Sequence, residues 1–211
     1  MTLAASFAGV ILAAGKSSRM GRDKALLPWP PLVAGQTPCN DTLLSAAIRS
    51  LSSATDFVLV VAGHNEIALA PTIYSHGASL VVNRAPERGQ FSSLQVGLQE
   101  VLNHGRDAAI VTLVDRPPVN PVTLQTLRLA FLMADPSVWA IVPEYSGHHG
   151  HPYLIGREMM SAFLQEPATS NARDIEHVHH KHIQYVIVDD PLVAVNINTK
   201  EDYAGLQVRS S

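Results

Sequence analysis

The chain has 211 residues, 46% of them hydrophobic, with Lys+Arg 15 against Asp+Glu 18 and a formal net charge of −3. That length suits one α/β domain spanning 1–211, and the charge balance excludes a polycationic surface for nucleic acid or for an anionic membrane. Cys39 is alone, which excludes an intramolecular disulfide and a thiolate zinc site and fits a reducing cytoplasm.

The apolar start of the chain imitates a signal-peptide core, but no cation precedes its apolar run, so it is expected to be a buried strand over Phe7-Ala13. No later apolar run approaches the roughly 20 residues needed to cross a bilayer, and a soluble protein with no membrane partner is expected. Further strands are expected at Phe57-Ala62, Ser79-Val82, Ala108-Val114, Val138-Val142 and His182-Val188. The gaps between them are mostly helix-sized. Asp41 reads as an N-cap before Thr42-Leu43-Leu44, Leu94, Leu98, Val101 and Leu102 share one helical face, and Leu124, Leu127, Phe131 and Leu132 repeat that spacing. Trp29-Pro30-Pro31 through Asn40 reads as a surface loop. Strand and helix alternating in this way imply a mostly parallel sheet covered on both faces, with ligands beyond the carboxyl ends of the strands.

The residues just after the first strand, L-A-A-G-K-S-S-R-M-G-R-D-K from Leu12 to Lys24, therefore draw attention. Gly15 to Gly21 is one residue too long for a P-loop, and no G-x-G-x-x-G occurs there. Small residues at Ala13, Ala14 and Gly15 let a ligand approach the backbone, while Lys16, Arg19 and Lys24 offer donors and positive charge to a triphosphate. A solvated loop is the alternative, and the position at the sheet's carboxyl edge favours the anion site. Asp115 ends the most apolar strand and is followed by Arg116-Pro117-Pro118, which stops the ladder and leaves a strand-end acid suited to Mg²⁺. Gly89, Gln90 and Ser93 follow a strand and open a helix, so amide, hydroxyl and backbone N–H groups are available to a nucleotide. Thr199 and Asp202 fit a capping box for the last helix.

The string L-A-A-G-x-S-x-R-M-G-x-x-K resembles the signature of the MobA-like nucleotidyltransferases, which include molybdenum cofactor cytidylyl- and guanylyltransferases. Gln90 to Leu98, Val114-Asp115-Arg116-Pro117-Pro118, Gly150-His151-Pro152-Tyr153-Leu154 and Asn196 to Asp202 follow in the order of that family. The resemblance implies a three-layer Rossmann-like nucleotidyltransferase fold with a mostly parallel mixed sheet. It implies an Mg²⁺-dependent transfer of a nucleotide from an NTP to the phosphate of molybdopterin, with pyrophosphate leaving and a molybdoenzyme or its chaperone downstream. Lys24, Arg19 and Asp115 would be catalytic. Leu12, Ala13, Ala14, Gly15, Lys16, Lys24, Gln90 and Ser93 would bind the nucleotide, Ser93 by holding the base. Asp115 and Asn198 would hold the metal, and His151 would border the acceptor.

The base is left open by two features. Ala14 resembles the cytidylyl branch, where guanylyl members show a second glycine, whereas Asn196-Ile197-Asn198 resembles the guanylyl branch rather than the Asp-Ile-Asp of many cytidylyl members. CTP is favoured. Transfer to a sugar or polyol phosphate is a second reading within the class, and a non-catalytic carrier of nucleotide or molybdenum cofactor is one outside it. Seven of the ten histidines cluster at 148–151 and 177–182; they lack the spacing of a zinc site, and the second cluster is expected to form a solvated helix end.

Overall fold

A computed structural model describes residues 5–15, 21, 23–31 and 41–206. Strand β1 (Phe7–Leu12) is buried along its whole length, as a run of apolar residues flanked by strands on both sides requires. It pairs in parallel with β2 (Phe57–Ala62) on one side and with β4 (Ala108–Leu113) on the other, and β3 (Ser79–Val82) extends the sheet beyond β2. The register sets Leu12 opposite Leu113, so these strands end together. That common edge carries the site.

Beyond β4 the direction changes. Strand β7 (Tyr153–Gly156) runs antiparallel to β4 and to β5 (Ala140–Tyr145), while β8 (Ile183–Ile187) lies parallel to β5. A short strand β6 (His148–His149) folds back on β5. The mixed, mostly parallel sheet agrees with the sequence, but β6 and β7 were not among the strands expected from it. Their signal was Ser146-Gly147, whose φ values of 50° and 78° make the two-residue hairpin turn that a right-handed twist favours.

Alternation along the strands builds a core on each face. Phe7, Ile11, Val58 and Val60 meet helices α1 (Leu43–Ser52), α2 (Glu66–Ser75) and α4 (Pro121–Met133) on one side. Ala8, Val10, Leu59 and Val61 meet α3 (Gln90–Asn103), α5 (Arg157–Gln165) and α6 (Ala172–Val178) on the other. The N-cap of α1 is Thr42, in a capping box with Ser45, and not Asp41, whose carboxylate instead pairs with Arg49 at 2.6 Å. In α4, Leu124 and Leu127 are buried, but Leu132 is 50% exposed and leaves the expected stripe. The capping box of the last helix, α7 (Lys200–Gly205), forms as expected between Thr199 and Asp202.

Gly150 marks the tightest approach in the fold. A Cβ there would stand 2.0 Å from the Val193 carbonyl oxygen, the same oxygen that accepts from the His151 N–H at 2.9 Å. Gly150→Ala is expected to lower stability by about 1–3 kcal/mol, read as a melting temperature reduced by about 2–4 °C per kcal/mol. An unchanged melting temperature would show that the 191–194 turn yields freely.

Candidate functional site at the sheet edge

Past Leu12 the chain leaves the sheet, and Lys24 returns to it on a single 3-10 turn, Lys24–Leu26. Lys24 is 8% exposed, and its Nζ lies 3.2 Å from Asp115 Oδ2, just beyond the end of β4. The pairing joins two segments separated by 91 positions. Asn65 holds this arrangement: its Nδ2 donates to the Ala13 carbonyl at 2.9 Å and to Asp23 Oδ2 at 2.6 Å, and its Oδ1 accepts from the Gly63 N–H. Asp23 in turn caps the Lys24 turn by accepting from Ala25 N–H. Neither Asn65 nor Asp23 was visible as a site residue in the sequence, because an isolated Asn after a strand has many ordinary uses. Lys16 and Arg19 lie outside the described residues.

A third segment joins the pair. The Ile197 N–H donates to the Asp115 carbonyl at 2.9 Å, drawing Asn196 and Asn198 alongside the acid. Asn198 is partly buried, and its N–H donates to Asp202 Oδ2. The Asn198 and Thr199 N–H groups hold the Asp202 carboxyl below the usual carboxylate range, with smaller help from the Thr199 hydroxyl and the Lys24 charge. Asp115 Oδ1 and Asn196 Oδ1 are both buried without a hydrogen-bond partner among the described residues. A carboxylate oxygen and an amide oxygen left free together are suitable donors for a hard divalent ion.

Beside them opens a cleft of about 590 Å³, with Leu12, Leu94 and Leu113 among its walls and Arg88, Gly89 and Gln90 at the start of α3. Gly89 has φ of 103° and supplies no side-chain cap, which leaves the first N–H groups of a 14-residue helix directed toward a ligand. Ser93 is placed differently from Gln90. It is 3% exposed, and its hydroxyl accepts from Asn83 Nδ2 at 3.0 Å, as does that of Ser92 at 2.9 Å. Asn83 Oδ1 accepts from Ala85 N–H, so this buried cluster anchors the 84–89 loop to α3. Of the nucleotide-side residues expected from sequence, Leu12 and Gln90 line the cleft; Ala13 is buried, Ala14 is partly buried and Gly15 is exposed.

A second cleft of about 450 Å³ adjoins the first, lined by His149, Gly150, Tyr185 and His180 among others. Both clefts share Arg116, His151, Tyr153, Arg173 and Glu176 as common wall. Arg116 Nη1 donates to the Val195 carbonyl at 2.9 Å, while its Nε is buried without a partner. Burial pulls this guanidinium below its ordinary pKa, opposed by the charge of Asp115, and burial raises Glu176, opposed by Arg173. Two of the histidines stack on aromatic rings: His149 on Tyr185 at 3.9 Å and His182 on Trp139 at 3.8 Å. The 177–182 cluster lies at the end of α6 and in the 3-10 turn that follows.

A family model described as the MobA-like NTP transferase domain matches residues 9–183. The molybdenum cofactor cytidylyltransferase of Escherichia coli (strain K12) is 23% identical over 92% of this chain and 92% of its own length. A probable molybdenum cofactor guanylyltransferase of Mycobacterium avium (strain 104) is 24% identical over 94% of each chain. Among solved structures, Rv0371c from Mycobacterium tuberculosis H37Rv superposes with a TM-score of 0.77 at 27% identity, covering 97% of this chain and 98% of that one. Its complex with manganese gives 0.73 at 24% identity, covering 95% and 97%.

His151 offers a direct test of the buried wall. Desolvation first, and the Arg116 charge second, depress its pKa to about 3, with the Val111 carbonyl opposing. The folded protein therefore keeps His151 neutral while the unfolded chain takes up a proton near pH 6.5. Stability contributed by this group is present above that pH and is lost as pH falls toward the folded value. Between pH 6.5 and 5 the wild type is expected to lose stability more steeply than His151→Gln, the difference in slope approaching about 1.4 kcal/mol per pH unit. Parallel urea-midpoint profiles for the two proteins would mean that His151 protonates freely in the folded state.

Proposed function

The chain belongs to the MobA-like NTP transferase family, and from that membership we propose that it transfers CMP from CTP to the phosphate of molybdenum-bearing molybdopterin, releasing pyrophosphate. The observation that supports a working nucleotidyltransferase over a carrier is the Lys24–Asp115 pair at 3.2 Å, with Asp115 Oδ1 left unpartnered beside Asn196 and Asn198. A domain that only carried a cofactor would have no use for a cation and an acid held together at the strand ends. The names of the relatives, a molybdenum cofactor cytidylyltransferase and a guanylyltransferase, support the acceptor.

In this reading the base and sugar occupy the larger cleft, between Leu12 and the start of α3, with Gln90 and the helix N–H groups as donors. Ser93 acts on the base through Asn83 and the 84–89 loop. Lys24, with Lys16 and Arg19, faces the β- and γ-phosphates, and its ammonium stabilises charge as it grows on departing pyrophosphate. Asp115 and Asn198 would hold a hard divalent ion such as Mg²⁺, with the unpartnered Asn196 Oδ1 as a further oxygen beside them, and the ion would supply further neutralisation of the phosphates. The manganese complex of the Mycobacterium tuberculosis relative supports use of a divalent ion.

The acceptor's phosphate oxygen forms the new bond to the α-phosphorus, and the bond from that phosphorus to the β-bridging oxygen breaks, its electron pair leaving with pyrophosphate. A phosphate monoester is largely ionised near neutral pH, so no side chain need remove a proton. The residues position and neutralise. His151, neutral and partly buried in the wall shared by the two clefts, borders the acceptor.

Pyrophosphate release measured with purified molybdenum cofactor and each NTP in turn is expected to favour CTP, and a preference for GTP would transfer the chain to the guanylyl reading that Asn196-Ile197-Asn198 suggests. Release with no nucleotide would remove the enzymatic reading. Asp115→Asn is expected to keep the melting curve within a few degrees while cutting turnover at least about 100-fold and abolishing Mn²⁺ binding seen by electron paramagnetic resonance. Near-normal metal binding in that variant would take the ion away from Asp115. Lys24→Ala is expected to weaken NTP binding and slow transfer together; a change in melting temperature alone would make Lys24 structural.

A further inference from the structure

The product of the proposed reaction is a diphosphate joining a nucleoside to an acceptor, so the phosphorus atoms must lie where the two binding spaces meet. This inference rests on the nucleotidyl-transfer reading. The shared wall of the two clefts comprises Arg116, His151, Tyr153, Arg173 and Glu176, and it carries two guanidinium groups. We propose that Arg116, with Arg173 opposite, is the anchor for the acceptor's phosphate monoester, holding it across this wall with its organic body in the His149–Tyr185 cleft.

The geometry of Arg116 supports that use. Its position directly after Asp115 places it beside the proposed reaction centre, and Pro117 after it ends the ladder, so the side chain is not committed to the sheet. One amino group, Nη1, is fixed by the Val195 carbonyl at 2.9 Å, which orients the guanidinium plane. Nε is buried with no hydrogen-bond partner among the described residues. Nη2 and Nε lie on the remaining edge of the fork, the geometry that receives two phosphate oxygens. Arg106 and Arg128 also bury Nε without a partner, but their guanidinium groups lie over the rings of Phe57 and Phe7 and border neither cleft. Arg173 comes from the first turn of α6, is exposed, and lines the same shared wall.

The charge at this wall is mixed. Asp115 neutralises part of Arg116, and Glu176 part of Arg173. A phosphate bound here would therefore compete with Asp115 for the guanidinium unless Asp115 is itself held by Lys24, as its Oδ2 is. The Lys24 pair thus leaves Arg116 available. A lysine at 116 would carry the charge but not the planar fork, and so would restore only part of the binding.

Titration of phenyl phosphate into the full chain, followed calorimetrically, tests the anchor without requiring turnover. Wild type is expected to bind it, Arg116→Gln and Arg173→Gln to bind at least about tenfold more weakly, and Arg116→Lys to fall between. CTP titrated with Mg²⁺ is expected to weaken clearly less than phenyl phosphate in the three variants, since Arg116 and Arg173 border the nucleotide's cleft only at the shared wall and the NTP phosphates are assigned to Lys24. Arg173→Gln is on the exposed face of α6 and keeps the test readable if Arg116→Gln unfolds. Phenyl phosphate that fails to bind wild type, or binds wild type and both Gln variants equally, overturns the anchor. Loss of CTP affinity in Arg116→Gln equal to the loss of phenyl phosphate affinity also overturns it, by assigning the arginine to the nucleotide. Absence of CTP binding in wild type would instead remove the nucleotidyl-transfer reading, whatever phenyl phosphate does.

Discussion

The ion pair between Lys24 and Asp115 organises everything at the sheet's carboxyl edge. Each partner is supplied by a different strand exit, and each needs the other because a buried ammonium without a carboxylate would be expensive to desolvate. The pair contributes less to stability than to position: a buried ion pair can be replaced by apolar residues at little loss, but no apolar pair leaves one carboxylate oxygen free. Asp115 Oδ1 is that oxygen. Fixing Oδ2 on Lys24 also fixes the direction in which Oδ1 points.

The pair depends in turn on backbone that the sheet holds rigid. Parallel pairing of β1 with β4 brings Leu12 level with Leu113, and Asn65 from the exit of β2 ties the Ala13 carbonyl to Asp23. Three consecutive strand exits are thus joined by side-chain and main-chain bonds before any ligand is considered. The turn that carries Lys24 is only one turn of helix, too short to be stable alone, and its Asp23 cap is occupied on both oxygens. Rigidity here comes from the scaffold, and Lys24 can be positioned without a large core of its own.

Much of this was legible in the sequence because it follows from periodicity and from punctuation. Apolar runs separated by helix-sized gaps gave the parallel half of the sheet, and Asp115 before two prolines marked a strand end. The antiparallel half was less legible. Strand β7 has four residues and β6 two, too short for any period to register, and their pairing is set by a hairpin turn and by contact with a distant strand. Asn65, Asn83 and Arg116 were missed for a related reason: their roles consist of bonds to residues far away, which no local pattern encodes. Ser93 shows the converse. Its position at the start of α3 was plain, but only the fold reveals that its hydroxyl faces Asn83.

The unpartnered atoms at this edge explain why the site is built from side chains at strand exits and loops. A buried polar group without a partner costs about 1–3 kcal/mol, and Asp115 Oδ1, Arg116 Nε, His151 Nδ1 and Asn196 Oδ1 are all of this kind. Held inside a strand or helix, such groups would tend to find a neighbour as the element formed. Beyond the strand ends, the Val195 carbonyl, Ile197 N–H and Val193 carbonyl bind the backbone and one edge of the side chains while leaving the other edge open. The close approach at Gly150 brings the 191–194 turn against His151 and sets backbone against the wall between the clefts. The partial burial of these groups lowers the local dielectric and strengthens charge interactions there. The same packing that leaves these atoms unsatisfied therefore makes them more effective toward a ligand that satisfies them.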